Sequence, residues 1–241
     1  MSEIPDKLDL MQQVSAIIVA AGSGTRLGSP HPKAFVSLGG RTILSYSLRT
    51  LVGLSSLAEL ILAVPTGMER RAREEVSDSG LEVPVKITPG GSERQESVRI
   101  GLALTSAESE LVVVHDAARP FASPQLFERC LKRAERMGAA IAGIPVADTL
   151  KRVERDARII ATLPRAGLWQ AQTPQSFARE RLIEAHELAL RNQILATDDA
   201  DLLERAGCEV EVVEGSPLNL KITTADDLTL AEALAVWLFP R

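Results

Sequence analysis

Residues 15–35 read SAIIVAAGSGTRLGSPHPKAF, and the reading of the fold starts from that stretch. Ala16 to Ala21 form a short apolar run with the length and composition of a buried parallel strand. The run leads into Gly22-Ser23-Gly24-Thr25-Arg26-Leu27-Gly28, and a lysine follows at Lys33. Glycines, lacking a Cβ, let the backbone turn sharply and approach a ligand closely. Successive free N–H groups in such a loop make a concavity that binds anions. Arg26 and Lys33 add fixed positive charge at the same place, so strand, glycine loop and cations together point to a polyphosphate site.

Counting excludes two familiar phosphate loops. A dinucleotide fingerprint needs G-x-G-x-x-G and an acidic residue about twenty positions on. Here the spacing is G-x-G-x-x-x-G, and Arg41 to Gly53 contains no Asp or Glu, which argues against a dinucleotide-dependent dehydrogenase. A P-loop needs G-x-x-x-x-G-K-[ST], but Leu27 stands five residues after Gly22 and Ser29 five after Gly24. What remains, AAGSGTRLG followed by PK, resembles the signature of nucleotidyltransferases that join a nucleoside triphosphate to a sugar or alditol phosphate.

The chain has 241 residues, is 45% apolar and carries a net charge of −5. That length buries a sizeable α/β core, and the charge indicates neither disorder nor a nucleic-acid surface. The apolar runs fall well short of the roughly 20 residues that span a bilayer. Residues 1–13 have no apolar segment of signal-peptide type, so they read as an N-terminal extension to one domain over 14–241. Cys130 and Cys208, far apart and outside C-x-x-C spacing, read as reduced residues. The whole profile predicts a cytoplasmic protein with no nucleic-acid or membrane partner.

Along the chain, strands and helices alternate. Leu60–Val64, Val83–Ile87, Leu111–Val114 and Ala139–Val146 read as strands, Pro84 marking the second as an edge or marking its end. Helices begin near Thr42, run from Met68 to Ser79, and open after Gly90-Gly91-Ser92 to end near Ala107. Another follows Ser123-Pro124, a cap with proline at the first helical position. This alternation predicts an α/β fold with a mostly parallel sheet and helices on both faces. At Asp148 the rhythm changes to polar–apolar alternation in Thr149–Val153 and Arg158–Leu163, a hairpin turning near Arg155-Asp156. Such a ribbon at about 147–166 is an arm, and because isolated ribbons are marginal in water it is expected to pack on a second subunit. Helices from Arg179 to Asn192 and from Thr197, strands at Glu209–Val213 and Leu218–Thr223, and an amphipathic helix over Ala225–Trp237 complete the reading.

Ligands of open α/β sheets sit beyond the carboxyl ends of the strands. Three polar clusters lie there: the glycine loop, His115-Asp116-Ala117-Ala118-Arg119, and Asn219-Leu220-Lys221. Asp116, just past four apolar residues, is the natural ligand for Mg²⁺ or another divalent cation, which combines carboxylate and phosphate oxygens with retained waters. His31 and His186 read as surface residues.

Several motifs in order sharpen the resemblance: AAGSGTRLG with PKAF, GGSERQESV, VVVHDAARPF, PVADTLKRV, LPRAGLWQAQTPQ, ATDDA and VEGSPLNLKIT. From about Val14 to Leu238 the chain resembles the 2-C-methyl-D-erythritol 4-phosphate cytidylyltransferase family of the non-mevalonate isoprenoid pathway. The resemblance implies a Rossmann-like nucleotidyltransferase fold, a homodimer joined through the β-arm, and transfer of CMP from CTP to methylerythritol phosphate with release of pyrophosphate. It places Ala20, Ala21, Gly22, Gly24, Arg26 and Lys33 at the triphosphate, and Gly91, Ser92 and Ser97 around cytosine and ribose. Some members carry aspartate at the position of Ser92. Asp116 matches the magnesium ligand, with Ala117 beside it. Arg119, Thr149, Arg165, Thr173, Thr197 and Lys221 match groups that bind the acceptor, Thr149 and Arg165 doing so across the dimer interface. Arg26, Lys33 and Lys221 are the implied catalytic residues. Ribitol 5-phosphate is the alternative acceptor.

The chemistry agrees with this assignment. A phosphate monoester, with a second pKa of about 6, is already a dianionic nucleophile at neutral pH. It needs no general base, so His115 receives no proton-transfer role. The task is to bring anions together and stabilise the leaving pyrophosphate, for which cations and a metal are the tools.

Overall fold

The computed structural model describes residues 13–22 and 24–239. The N-terminal extension expected at 1–13 therefore lies, except for its last residue, outside the described residues. The chain opens with β1 (Val14–Val19), two 3₁₀ turns at Thr25–Leu27 and Lys33–Phe35, and the short strands β2 (Ser37–Leu38) and β3 (Arg41–Thr42). Then come α1 (Ile43–Val52), β4 (Leu57–Val64), α2 (Glu69–Ser77), β5 (Val85–Pro89), α3 (Arg94–Leu102) and β6 (Leu111–Asp116). α4 (Pro124–Met137) and β7 (Ala139–Pro145) precede the hairpin β8 (Leu150–Val153) and β9 (Ile159–Leu163). β10 (Trp169–Ala178), α5 (Arg179–Arg191), α6 (Asp199–Arg205), β11 (Glu211–Glu214) and α7 (Ala225–Leu238) follow.

Seven strands form one sheet in the order β11–β7–β10–β6–β1–β4–β5. β1 pairs in parallel with both β4 and β6, β4 with β5, and β7 with β11. Only β10 runs antiparallel, between β6 and β7. The mostly parallel sheet expected from the sequence is therefore present, with β5 at an edge. The strand order reverses beside β1, where successive crossovers leave to opposite sides, and ligands of open α/β sheets bind at that switch point.

Both faces of the sheet are covered. Ala16 and Ile18 of β1 face a core built with Leu44, Leu48 and Leu51 of α1 and Phe127 and Leu131 of α4. Ile17 faces the other way, against Val98 and Leu102 of α3, Leu182 and Ala185 of α5, and Leu203 of α6. Two buried faces explain why β1 reads as an unbroken apolar run. Each fully buried leucine or isoleucine stabilises the fold by about 1.5–3 kcal/mol. A third cluster joins Leu27 of the glycine loop, Leu38, Tyr46, Ile222 and Ala231, docking α7 beside the loop. Thr224 and Asp227 form a capping box that starts α7.

Three local expectations are corrected, and one strand, β10, escapes the sequence reading. Leu218–Thr223 is irregular and not a strand. It crosses the carboxyl ends of the sheet, held by Ile222 N–H donating to Ala118 O at 2.8 Å. β10 carries no sequence signal because its buried inner half, Gln172-Thr173-Pro174-Gln175-Ser176, is polar. α3 stops at Leu102, where the Thr105 hydroxyl donates to the Leu102 carbonyl at 2.7 Å and closes the turn. α7 is not one-sided, since it exposes Leu230, Val236 and Trp237.

The hairpin expected after Asp148 is present. β8 and β9 make a separate antiparallel ribbon, with Val153, Ile159 and Ile160 each about half exposed or more. Cys130 and Cys208 are both free.

Candidate active site

The glycine loop leaves the end of β1 and folds back over it. Gly24 takes the left-handed conformation, φ +72°, and a Cβ there would lie 2.8 Å from the Cβ of Lys33. Glycine thus lets the second 3₁₀ turn close on the loop and bring Lys33 beside it. A second close approach occurs at Gly90, where an added Cβ would stand 2.3 Å from the Ala21 Cβ. This brings the Gly90-Gly91-Ser92 loop against the end of β1. Gly91 N–H donates to Ser97 Oγ at 3.1 Å, and Ser92 N–H and Oγ–H both donate to Glu96 Oε2.

Asp116 closes β6 in register with Val19 of β1, so strand pairing alone sets its carboxylate beside the glycine loop. Lys221 Nζ donates to Asp116 Oδ2 at 2.6 Å, and Arg94 Nε donates to Oδ1 at 2.8 Å. Burial raises the Asp116 pKa, but the charges of Arg94 and Lys221 outweigh it and hold the carboxyl well below the usual carboxylate range. Asp116 is therefore ionised. Burial, reinforced by the charge of Lys221, lowers the pKa of the Lys33 ammonium.

His115 points away from this cavity. Its Nε2 lies 3.1 Å from Arg119 O, which can only accept, so Nε2 carries the proton. Nδ1 then accepts from the Thr173 hydroxyl at 3.0 Å, and Thr173 Oγ1 accepts the Asp116 N–H at 3.0 Å. Burial lowers the imidazole pKa to about 4, so the ring is neutral near pH 7 with both nitrogens engaged. The expectation that His115 transfers no proton agrees with this arrangement, in which it holds Asp116 and β10 in place.

Two cavities meet at this point. The larger, about 460 Å³, is lined by Ala20, Ala21, Gly22, Arg26 and Lys33 on one side and by Gly91, Ser92 and Ser97 on the other. Asp116, Ala117 and Lys221 form its floor. The smaller, about 240 Å³, is lined by Arg119, Thr173, Thr197 and Lys221, with Gln172 and Asp198. Arg94, Asp116 and Lys221 belong to both and form their common wall.

Ten of the eleven residues expected at the nucleotide therefore line one cavity, and Gly24 supports it through Lys33. Four of the expected acceptor residues line the other. Arg119 already donates to Asn219 O at 2.7 Å and to Ala171 O at 3.3 Å, so part of its guanidinium is committed to the scaffold. Thr149 and Arg165 are exposed at the arm and line neither cavity of this chain. Among the described residues no group of three or more His, Cys, Asp or Glu side chains could hold a metal by itself. The single carboxylate of Asp116 fits a cation that takes its other ligands from phosphate and water.

Sequence reasoning gave no role to Arg94, Asp199 and His186, and named Asn219 only as part of the cluster that ends in Lys221. Arg94 stands inside the quoted GGSERQESV motif, at the first position of a helix that opens at a phosphate loop, and that placement was the available signal. Asp199 and Asn219 stand inside the quoted ATDDA and VEGSPLNLKIT motifs, but the partners that give them their roles, Arg94 and Thr173, are 105 and 46 positions away. His186, expected at the surface, is 2% exposed and donates to Asp199, a correction that follows from the packing of α5 on α6.

Comparison with known proteins agrees with the geometry. The family model for 2-C-methyl-D-erythritol 4-phosphate cytidylyltransferase (IspD) matches residues 14–236. The protein of that name from Syntrophus aciditrophicus is 42% identical over 222 residues, covering 92% of this chain and 95% of its own. The crystal structure of the same enzyme from Thermus thermophilus superposes with a TM-score of 0.77 at 40% identity, over 92% of this chain and 98% of that one. The 4-diphosphocytidyl-2C-methyl-D-erythritol synthase of Anaerococcus prevotii gives 0.81 at 31% identity, over 93% and 98%. With a family match over nearly the whole chain, relatives about 40% identical and the same overall fold, the chain belongs to the 2-C-methyl-D-erythritol 4-phosphate cytidylyltransferase family.

Proposed function

We infer that this cytidylyltransferase moves CMP from CTP to 2-C-methyl-D-erythritol 4-phosphate at the wall shared by its two cavities. One observation carries the reading: Arg94, Asp116 and Lys221 face both the triphosphate cavity and the acceptor cavity. CTP takes the larger cavity, with its phosphates against the loop amides, Arg26 and Lys33 and its nucleoside against Gly91, Ser92 and Ser97. The acceptor takes the smaller, with its phosphate held by Lys221, Arg119, Thr173 and Thr197. A phosphate oxygen of the acceptor attacks the α-phosphorus, a new P–O bond forms, and the bond to the pyrophosphate oxygen breaks. Pyrophosphate leaves with the electron pair, and no proton is moved by the protein.

Catalysis is then positioning and charge stabilisation. Arg26, Lys33 and Lys221 are the cations that act on charge developing at the reacting phosphates. Asp116 would hold Mg²⁺, or another divalent cation, beside the triphosphate. Such an ion, when bound, neutralises phosphate charge and draws electron density from the leaving group.

The exposed apolar ribbon β8–β9 supports a homodimer in which each arm covers its neighbour, bringing Thr149 and Arg165 to the partner's acceptor cavity. Among the described residues no helix is long and apolar enough to cross a membrane, and the protein works in the cytoplasm in this reading. The relatives described above are named for methylerythritol, which favours that acceptor over ribitol 5-phosphate. Pyrophosphate release measured with Mg²⁺ and CTP, with each acceptor in parallel, tests the assignment. Release with methylerythritol phosphate alone is expected. Release with ribitol 5-phosphate alone would keep the site and overturn the acceptor.

A further inference from the structure

From Arg94 and Asp116 in the common wall a line of charge continues inward to two buried residues, Asp199 and His186, that line neither substrate cavity. Arg94 Nε donates to Asp116 Oδ1 at 2.8 Å, while Nη1 of the same guanidinium donates to Asp199 Oδ2 at 2.7 Å. Asp199 is fully buried at the start of α6, and its other oxygen accepts from His186 Nε2 on α5 at 3.2 Å. His186 is itself 2% exposed. Four elements, β6, α3, α6 and α5, thus meet through one line of side chains. The start of α3 is fixed to the α5–α6 loop a second time, by Gln95 Nε2 donating to Ile194 O and Gln95 Oε1 accepting the Ala196 N–H.

The arrangement has a directional logic. Asp116 has two cationic partners, Lys221 and Arg94, and the two differ in what holds them. Lys221 is a point charge on a flexible stem, free to turn toward a phosphate. Arg94 is a planar fork whose second prong is fastened to a buried carboxylate. When Lys221 engages phosphate, Arg94 is the contact that keeps the Asp116 carboxylate in place. Its orientation depends on Asp199, whose orientation depends on His186. An aspartate left without this backing could rotate, and a displacement of about 1 Å at a reacting centre costs on the order of 100-fold in rate.

We propose that Asp199 is a positioning residue for CMP transfer: through Arg94 it fixes the carboxylate of Asp116, and buried His186 fixes Asp199 in turn. The inference rests on Asp116 being the working carboxylate of the site described above, and it adds two residues that lie outside both substrate cavities' walls as assigned there. Outer partners of this kind typically contribute roughly 10- to 100-fold to activity.

The test compares full-length variants by steady-state kinetics, CTP binding by calorimetry, and thermal midpoint. Asp199→Asn preserves shape but removes the charge that fastens Arg94, and kcat is expected to fall roughly 10- to 100-fold while the CTP Kd stays within about threefold. Arg94→Lys, which cannot bridge two carboxylates, should lose at least as much, and the double variant Arg94→Lys/Asp199→Asn should be no slower than Arg94→Lys alone. His186→Gln, whose amide N–H can reach the Nε2 position, should retain kcat, whereas His186→Phe should lose it. A purely structural role would lower the thermal midpoint and the active fraction but leave kcat per folded molecule unchanged. Such an outcome, or additive losses in the double variant, would overturn the proposal. Should Asp199→Asn fail to fold, the His186 pair decides, because equal kcat for Gln and Phe contradicts it. Asp116→Asn separates the two levels. If that variant turns over normally, the site reading itself falls. If it is inactive while folded Asp199→Asn is normal, only this inference falls.

Discussion

Lys221 Nζ sits 2.6 Å from Asp116 Oδ2, an ion pair between residues 105 positions apart at the carboxyl ends of the sheet. The contact exists because an irregular segment crosses those ends, and because Asn219 Nδ2 donates to Thr173 O at 2.9 Å to hold that segment down. The same lysine lines both cavities. It must leave the carboxylate to meet a phosphate, and its charge is what the acceptor side loses on truncation. Lys221→Met is therefore expected to lower kcat on the order of 100-fold, with CTP affinity changed much less, as seen by comparing turnover with calorimetry. Equal losses in both would place Lys221 on the nucleotide alone.

Lys33 is held against Gly24 and faces the triphosphate cavity. Its removal leaves the core intact, since the 3₁₀ turn is anchored by buried Ala34 and Phe35. Lys33→Ala is predicted to lower kcat by a factor on the order of 100–1,000, with an unchanged circular dichroism spectrum. Nearly normal turnover would remove this lysine from the mechanism.

Gly90 touches Ala21 so closely that a methyl group has no room. Gly90→Ala should push the Gly91-Ser92 loop off the end of β1 and weaken CTP binding by more than about tenfold, measured by calorimetry. Retained affinity would mean that the nucleoside does not use this loop.

Glu59 offers a prediction about stability that is separate from the site. It is buried at the other end of the sheet, where it accepts from Ser15 Oγ at 2.7 Å, Lys86 Nζ at 2.8 Å and the Ser106 N–H. Burial raises its pKa, but these donors together outweigh it and hold the carboxyl below its ordinary value. A depressed folded pKa contributes stability that is present above the unfolded pKa of about 4.3 and is lost as pH falls through the folded one. Glu59→Gln should therefore destabilise by about 2 kcal/mol at pH 7. That corresponds to roughly 4–8 °C in thermal midpoint, and the difference from the parent should shrink below about pH 4. A pH-independent difference would contradict the assignment.

The arm can be tested by mixing chains. Under the proposed homodimer, Arg165→Ala and Asp116→Asn chains, each inactive alone, should regain activity on subunit exchange, because one site in each mixed pair would have both an intact Asp116 and an intact Arg165 from the other subunit. Random exchange restores about a quarter of the parental sites. No recovery despite proven exchange would mean that each site uses its own arm.

What the sequence revealed and what it hid divide along the range of the interactions. β1, the Ser123-Pro124 start of α4, the hairpin and the glycine loop were legible because run length, caps and alternation are local signals. Asp116 was legible because it ends an apolar strand. β10 was hidden, since its buried polar residues are tolerable only through partners elsewhere, such as Gln172 with Asn219 and Gln175 with Asp198. Arg94, Asp199 and His186 were hidden for the same reason. An arginine at a helix start reads as solvated until the carboxylates it bridges, 22 and 105 positions away, are brought to it by the fold. The misreading of Leu218–Thr223 is instructive too: alternating residues there do not pair in a sheet but tie Lys221 and Ile222 to the active face.

The most direct measurement is pyrophosphate release by the parent chain and Asp116→Asn, side by side, with Mg²⁺, CTP and methylerythritol phosphate. The account predicts acceptor-dependent release by the parent and a loss of at least about 100-fold in a folded Asp116→Asn variant. Comparable release by the two would contradict the claim that the reaction takes place at the wall where the two cavities meet.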